Sequence, residues 1–324
     1  MKVGVYFDLR NPPRSERSFS SLYSFALEMC EEAERLGADS VWTTEHHLFD
    51  DGYISQPLGF LAAVAARTKR VRLGTAIVIA PLHHAVEIAE QAALVDILSN
   101  GRLDLGLGAG YRIPEFELFG ADLANRYTAT DARAREIRRM FTETQLTPPP
   151  VQSRLPIWMG YQGPQGARRA GLLGESLLST NAQLWEPYRA GLIEAGHDPA
   201  IGRMAGGLQA FVTDDPEQDW PIVSEHLRYQ LDSYRRHMVE GTGQPVPRPV
   251  DPEKVRHRDL NGPPLSGFEY GTPGDVAAEI LRSVADAPVD EVFIWASLGG
   301  MSDEMTAQHV HTICTQLRPL LADA

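Results

Sequence analysis

The chain has 324 residues, 43% hydrophobic and 23% charged, with 30 basic against 43 acidic residues and a formal charge of -13. This composition excludes disordered, collagen-like and coiled-coil architectures, and its negative field repels phosphate backbones and anionic lipid surfaces, so neither nucleic acid nor membrane is an expected partner. No apolar run approaches the roughly 18–20 residues that span a bilayer, and Met1-Lys2-Val3-Gly4-Val5 opens directly on a strand pattern, so an untargeted, cytoplasmic protein is expected. Cys30 and Cys314 are too few for a disulfide framework and read as reduced core residues.

From the N-terminus, short β-branched runs fall at 3–8, 40–44, 72–79, 103–107, 156–159, 176–179, 207–213 and 291–296. Helical patterns lie between them at 22–36, 57–68, 86–98, 131–141, 166–173, 186–195, 221–238 and 272–285, and a last one closes the chain at 305–321. Strict alternation of this kind predicts an α/β fold, a single (β/α)8 TIM barrel over 1–324, with an open doubly wound sheet as the alternative. Gly37 ends the first helix, and Thr272-Pro273-Gly274-Asp275 starts a later one with a Thr cap and Pro in the first turn. Two stretches break the rhythm. Residues 146–155, with Pro148-Pro149-Pro150, read as a connector between half-barrels; residues 240–271 are long, polar and rich in Pro and Gly, and read as a lid after strand seven or as a solvated insertion.

A barrel of this type builds its site at the carboxyl ends of its strands. Those ends are polar here: Glu45-His46-His47 after the second strand, Pro81-Leu82-His83-His84 after the third, Gly108-Ala109-Gly110-Tyr111 after the fourth and Gly160-Tyr161-Gln162-Gly163 after the fifth. Adjacent histidines invite a metal, but neighbouring side chains on an extended strand point to opposite faces, so His46 and His47 are not expected to share an ion and no metal site is assigned. A lone histidine is often only structural, yet His46 stands at a strand end beside a carboxylate, the arrangement a general base needs.

The run from Gly106 to Gly110 lacks the helix a dinucleotide fingerprint requires, because Tyr111-Arg112-Ile113-Pro114-Glu115 interrupts it. Its glycines serve either close backbone approach to a flat ligand or a tight turn. The residues from Gly160 to Arg169 lead from a strand into a helix whose first amides would stabilise a phosphate, although glycines there are also compatible with a simple loop.

These strings together resemble the bacterial luciferase-like flavin-dependent oxidoreductases. The resemblance rests on Glu45-His46-His47, the segment from Val71 to Val78, Pro81-Leu82-His83-His84, the segment from Leu98 to Tyr111, and Glu115-Phe116-Glu117-Leu118-Phe119-Gly120. It continues more weakly through Pro156-Ile157-Trp158-Met159-Gly160 and Gly271-Thr272-Pro273. The resemblance implies a barrel that binds FMN, or in one branch a deazaflavin, with the phosphate held by Gly160, Gln162, Gly163, Gln165 and Gly166. It also implies a cis peptide at Ala76-Ile77 against the flavin ring, near Gly108, Ala109 and Gly110, with His46 as base or hydrogen-bond partner at the reactive edge.

Luciferase proper carries Cys and Arg where this chain has Gly108 and Ala109, so aldehyde-linked light emission is not implied. The implied activity is a two-component monooxygenase in which FMN, reduced by a separate flavin reductase, and dioxygen oxidise a small apolar organic molecule. Deazaflavin-linked hydride transfer and a non-catalytic flavin binder are the alternatives. Phe7, Tyr111, Trp295, Phe268 and Tyr270 are the expected pocket aromatics, with an ordinary core role as the other reading. A homodimer packed through the Ala-rich helix at 58–66 is implied as well.

Overall fold

The computed structural model describes residues 1–143, 146–256 and 268–322. Its strands are β1 (Lys2–Phe7), β2 (Ser40–Thr43), β3 (Arg72–Thr75), β4 (Val78–Ile79), β5 (Leu103–Gly108), β6 (Ile157–Met159), β7 (Ser176–Leu178), β8 (Met204–Leu208), β9 (Ala210–Val212), β10 (Glu269–Gly271) and β11 (Val289–Trp295). The helices are α1 (Phe19–Leu36), α2 (Pro57–Arg67), α3 (Ala85–Ser99), α4 (Ile113–Phe119), α5 (Arg126–Thr142), α6 (Gly163–Leu173), α7 (Trp185–Glu194), α8 (Pro216–Val239), α9 (Pro273–Val284), α10 (Asp303–Thr312) and α11 (Arg318–Ala322).

All pairings between barrel strands are parallel, running β3-β2-β1-β11-β8-β7-β6-β5-β4, and a β3–β5 pairing closes the ring. Because β3 and β4 occupy one strand position, this is a closed eight-stranded (β/α)8 barrel. The repeat unit explains the closure: most strand residues are buried, one face on the barrel interior and one under helices, which is why the strand sequences are largely apolar rather than strictly alternating. The interior stacks Trp42 on Phe293, with ring centroids 4.5 Å apart, and sets Trp158 edge-on to Trp42 at 6.4 Å. Helix ends follow the sequence punctuation. Gly37 caps α1 with φ 97, and Thr272 with Asp275 forms a reciprocal capping box at the start of α9.

Several expectations need correction. The run at 72–79 is two strands, interrupted at Ala76-Ile77, where the peptide bond is cis. The run at 207–213 also divides: β8 belongs to the barrel, whereas β9 leaves it and pairs in parallel with β10. Residues 269–271 of the expected lid are therefore strand, with Phe268 and Tyr270 both buried. Tyr270 donates to the Pro216 carbonyl at 2.7 Å and packs on Trp220 at 4.8 Å, so the two aromatics are core residues and not pocket lining. Of the rest, Pro252–Lys254 is a single 3-10 turn and 257–267 lie outside the described residues.

The connector at 146–155 packs onto the barrel through Gln152, which donates to Asp96 Oδ1 at 2.7 Å and to the Leu103 carbonyl at 2.8 Å. Finally, Pro114 does not interrupt a helix but starts one: α4 has Pro in its first turn, where a missing N–H costs nothing.

Candidate active site

Each barrel strand delivers the residues that follow it to the same rim, so His46 after β2 and the turn at Gly163 after β6 share one face by topology. His46 is buried, 8% exposed, and its Nδ1 lies 2.8 Å from Glu115 Oε1 on the first turn of α4. That oxygen also accepts the His47 backbone N–H at 2.9 Å and Arg112 Nη1 at 3.0 Å. Backbone and guanidinium can only donate, so Oε1 is an acceptor, Nδ1 carries the proton, and Nε2 presents its lone pair. Burial alone would raise the Glu115 carboxyl, but the His46 bond, the His47 amide and Arg112 together bring it below the ordinary carboxylate value.

The carboxylate that orients His46 is thus Glu115, not its neighbour Glu45. Glu45 Oε1 instead takes His47 Nε2 at 2.8 Å and His83 Nε2 at 2.6 Å, while Oε2 accepts the Ile79 amide at 2.6 Å. Desolvation would lower His83, but the Glu45 contact raises it above the usual imidazole value. His46 and His47 do take different carboxylates, Glu115 and Glu45, but from the loop beyond β2 and not from the strand itself. Glu45, His47 and His83 nevertheless bring three ligand-capable atoms within 4.8 Å of one another. A tetrahedral zinc bound at about 2.0–2.1 Å would hold its ligands about 3.3 Å apart; separations of 2.6 and 2.8 Å are those of hydrogen bonds to a shared carboxylate.

Around His46 the rim is aromatic. Phe49 and Tyr53 lie 4.9 Å from its ring, Tyr111 5.5 Å and Tyr234 of α8 6.3 Å. Tyr53 Oη meets Tyr234 Oη at 2.6 Å and Tyr6 Oη at 3.3 Å, and Trp295 stacks on Tyr234 at 6.4 Å. Arg10 stands 4.9 Å over Tyr234 and pairs with Asp51 at 2.6 Å, both side chains fully buried. Near it, burial pushes the Asp8 carboxyl up to about 6, although Arg10 and Gln230 oppose the shift. The wall is therefore aromatic and hydroxyl-bearing, not purely apolar. Phe7, expected as a pocket aromatic, lines a cavity together with Leu9, Arg10 and Met301.

The expected cofactor residues form two groups. Ala76 and Ile77 are half-buried at the rim, and Ile77 lies over the strand-end glycines: a Cβ on Gly108 would come within 2.5 Å of its Cγ1, and one on Gly160 within 2.5 Å of its Cγ2. Packing against Ile77 is thus reason enough for glycine at 108; Gly110, with φ 67, turns under Ile79 and Phe116. Ala109 is buried between them.

The second group is the start of α6. Gln162, Gly163 and Gln165 are exposed, the Gln162 side chain caps nothing, and Gly163, with φ 70, has no heavy atom within 4 Å of a Cβ position. Gly166 differs: it is buried, because Tyr161 packs against it at 2.8 Å from its would-be Cβ.

Glu115, Arg112, Arg10, Tyr53 and Tyr234 were not singled out by sequence reasoning. Glu115 has a local signal, an acidic residue directly after the Pro of a helix start, once that Pro is read as an opening. The others converge only in three dimensions.

A model of the luciferase-like monooxygenase family matches residues 1–291. The chain is 40% identical over 102 residues to the oxygenase component of a flavin-dependent trigonelline monooxygenase from Acinetobacter baylyi, covering 32% of this chain but only 28% of that protein. It is 30% identical over 304 residues to an F420-dependent glucose-6-phosphate dehydrogenase from Amycolatopsis mediterranei, covering 87% and 83% of the two chains. The fold superimposes on a monooxygenase from Streptomyces bottropensis with a TM-score of 0.78 at 23% identity, over 98% of this chain and 99% of that one. The chain belongs to the luciferase-like monooxygenase family, a family of oxidoreductases.

Proposed function

We propose that the chain is the oxygenase of a two-component system, a monooxygenase that uses reduced FMN and dioxygen to oxidise a small organic molecule. The observation that carries this reading is the pairing, on one rim, of a histidine oriented by Glu115 with an uncapped, exposed helix start at Gln162 and Gly163.

The residues present suit a phosphate-tailed flavin. The free amides of Gly163 and Gln165 and the positive end of α6 would hold the phosphate. Arg126 and Arg169 stand 4.5 and 5.8 Å over the Tyr127 ring, which packs on Tyr161 beside that turn, so cations are near although Ala109 supplies none. The shelf of Ala76, Ile77, Gly108 and Gly160 offers a flat surface for the ring, and the aromatic wall excludes water. When bound, the flavin would supply the redox chemistry. The chain would orient the substrate against the tyrosine wall, and His46 would exchange a proton through Nε2 while Glu115 stabilises the imidazolium. That wall suits a substrate with an apolar body and an oxygen substituent.

A second reading, hydride transfer with a deazaflavin, is favoured by the F420-dependent relative, whose likeness extends over 87% of the chain. The same proposal includes a separate flavin reductase, in keeping with a relative described as an oxygenase component. It also includes a dimer through the helix at 58–66, in α2, where Gly59 and Ala66 are exposed.

Titrating the purified protein with FMN and with a deazaflavin decides the cofactor, and oxygen consumption with reduced FMN decides the chemistry. His46→Ala is expected to reduce product formation by about 10²-fold or more while leaving flavin affinity largely intact. Tight binding of the deazaflavin alone would transfer the assignment to the second reading.

A further inference from the structure

We propose that Tyr111 is a catalytic residue: its hydroxyl carries the proton between His46 Nε2 and an oxygen atom of the bound substrate. This rests on the oxidoreductase reading of the rim. Three observations place the residue there.

The Glu115 bond fixes the proton of His46 on Nδ1, so the working nitrogen is Nε2, and Tyr111 Oη lies 3.4 Å from it. The two rings meet edge to face at 5.5 Å and 78°. His46 is 8% exposed whereas Tyr111 is 37% exposed, and Phe49, Tyr53 and Tyr234 occupy other sides of the imidazole. Tyr111 therefore holds its hydroxyl against Nε2 while its ring is the more exposed of the pair.

A separation of 3.4 Å is long for a hydrogen bond, as acid–base contacts commonly are before substrate tightens them. Burial and the Glu115 charge hold the phenol pKa above its ordinary value despite Arg112 and Arg10, so the hydroxyl keeps its proton at neutral pH and can donate it. In the step itself the Tyr111 proton moves to His46 Nε2 as the substrate O–H proton moves to Tyr111 Oη. The products are a substrate oxyanion, an unchanged phenol and an imidazolium paired with the Glu115 carboxylate. The reverse sequence delivers a proton to an oxyanion. No bond to carbon is made or broken by these residues.

Tyr111→Phe tests the assignment because it keeps the ring against His46 and removes only the hydroxyl. In flavin-free protein, nitrogen-detected imidazole spectra are expected to show His46 protonated at Nδ1, with the Nε2 resonance moving toward that of an unbonded imine nitrogen in the variant. In turnover, kcat is expected to fall by about 10²-fold with KM unchanged, since a residue that only packed would move neither reading. An unmoved Nε2 resonance, or a variant with wild-type kcat, overturns the relay. Failure of the flavin reading would appear separately, as a wild-type chain that turns over neither cofactor.

Discussion

Arg112 concentrates four demands in one guanidinium. Fully buried, it donates to the His47 carbonyl and to Glu115, and reaches the His237 carbonyl at 3.3 Å and Glu240 at 2.7 Å. Its net effect is to let a carboxylate exist beside His46 without water, which is the condition for fixing the histidine tautomer. Arg112→Met would leave Glu115 buried without its cation, and its other oxygen, Oε2, already has no partner among the described residues. We expect a loss of about 3–5 kcal/mol in denaturant unfolding. Glu115→Gln should unfold with a smaller loss because the charge goes while an acceptor oxygen stays, and in imidazole spectra it should leave the tautomer fixed, with Nδ1 still donating. Equal losses in the two variants would show that Arg112 acts only by packing.

At the scale of elements, the rim is shaped by where β3 stops and β4 resumes. The break turns Ile77 across the ends of β5 and β6, and Gly108 and Gly160 are the cost of that approach. The close packing of β5 on the broken strand predicts that Gly108→Ala overpacks the site and destabilises by about 1–3 kcal/mol. Ile77→Ala opens a gap by itself, yet combined with Gly108→Ala it should recover part of the loss, giving a favourable coupling in a double-mutant cycle. Strict additivity would contradict the contact. Element bounds were readable where capping chemistry is local, as at Gly37 and Thr272. They were misread where neighbours decide: the division of β8 from β9 depends on a pairing with β10, some 60 residues away, which no local pattern encodes.

Across the whole molecule, buried titrating groups set opposing pH dependences. His309 on α10 accepts the Val212 amide at 3.0 Å and bonds the Ala296 carbonyl at 3.1 Å, joining β9 to the end of β11, and burial lowers it to about 4 from 6.5. A depressed histidine contributes full stability above pH 6.5 and loses it as pH falls toward 4, because the unfolded chain takes the proton first; the span corresponds to about 3 kcal/mol. Asp8 works the other way. Raised from 3.8 to about 6, its contribution is present at low pH and is lost as pH rises through 6. Melting curves between pH 4 and 7 should therefore show Asp8→Asn gaining on the parent chain as pH rises, and His309→Gln gaining as pH falls. Parallel curves for either variant would remove that residue from the account.

The sequence alone determined the alternation that closes an eightfold barrel and the place of His46 just after a barrel strand, because strand–helix periodicity and strand-end polarity are local properties of the chain. Only the tertiary structure decided which carboxylate serves His46, why glycine occupies 108 and 160, and which tyrosines and arginines face the rim. Those contacts join residues 31 (Ile77 and Gly108) to 181 (Tyr53 and Tyr234) positions apart through the curvature of a closed sheet, and curvature is a property of the whole ring that no segment holds by itself.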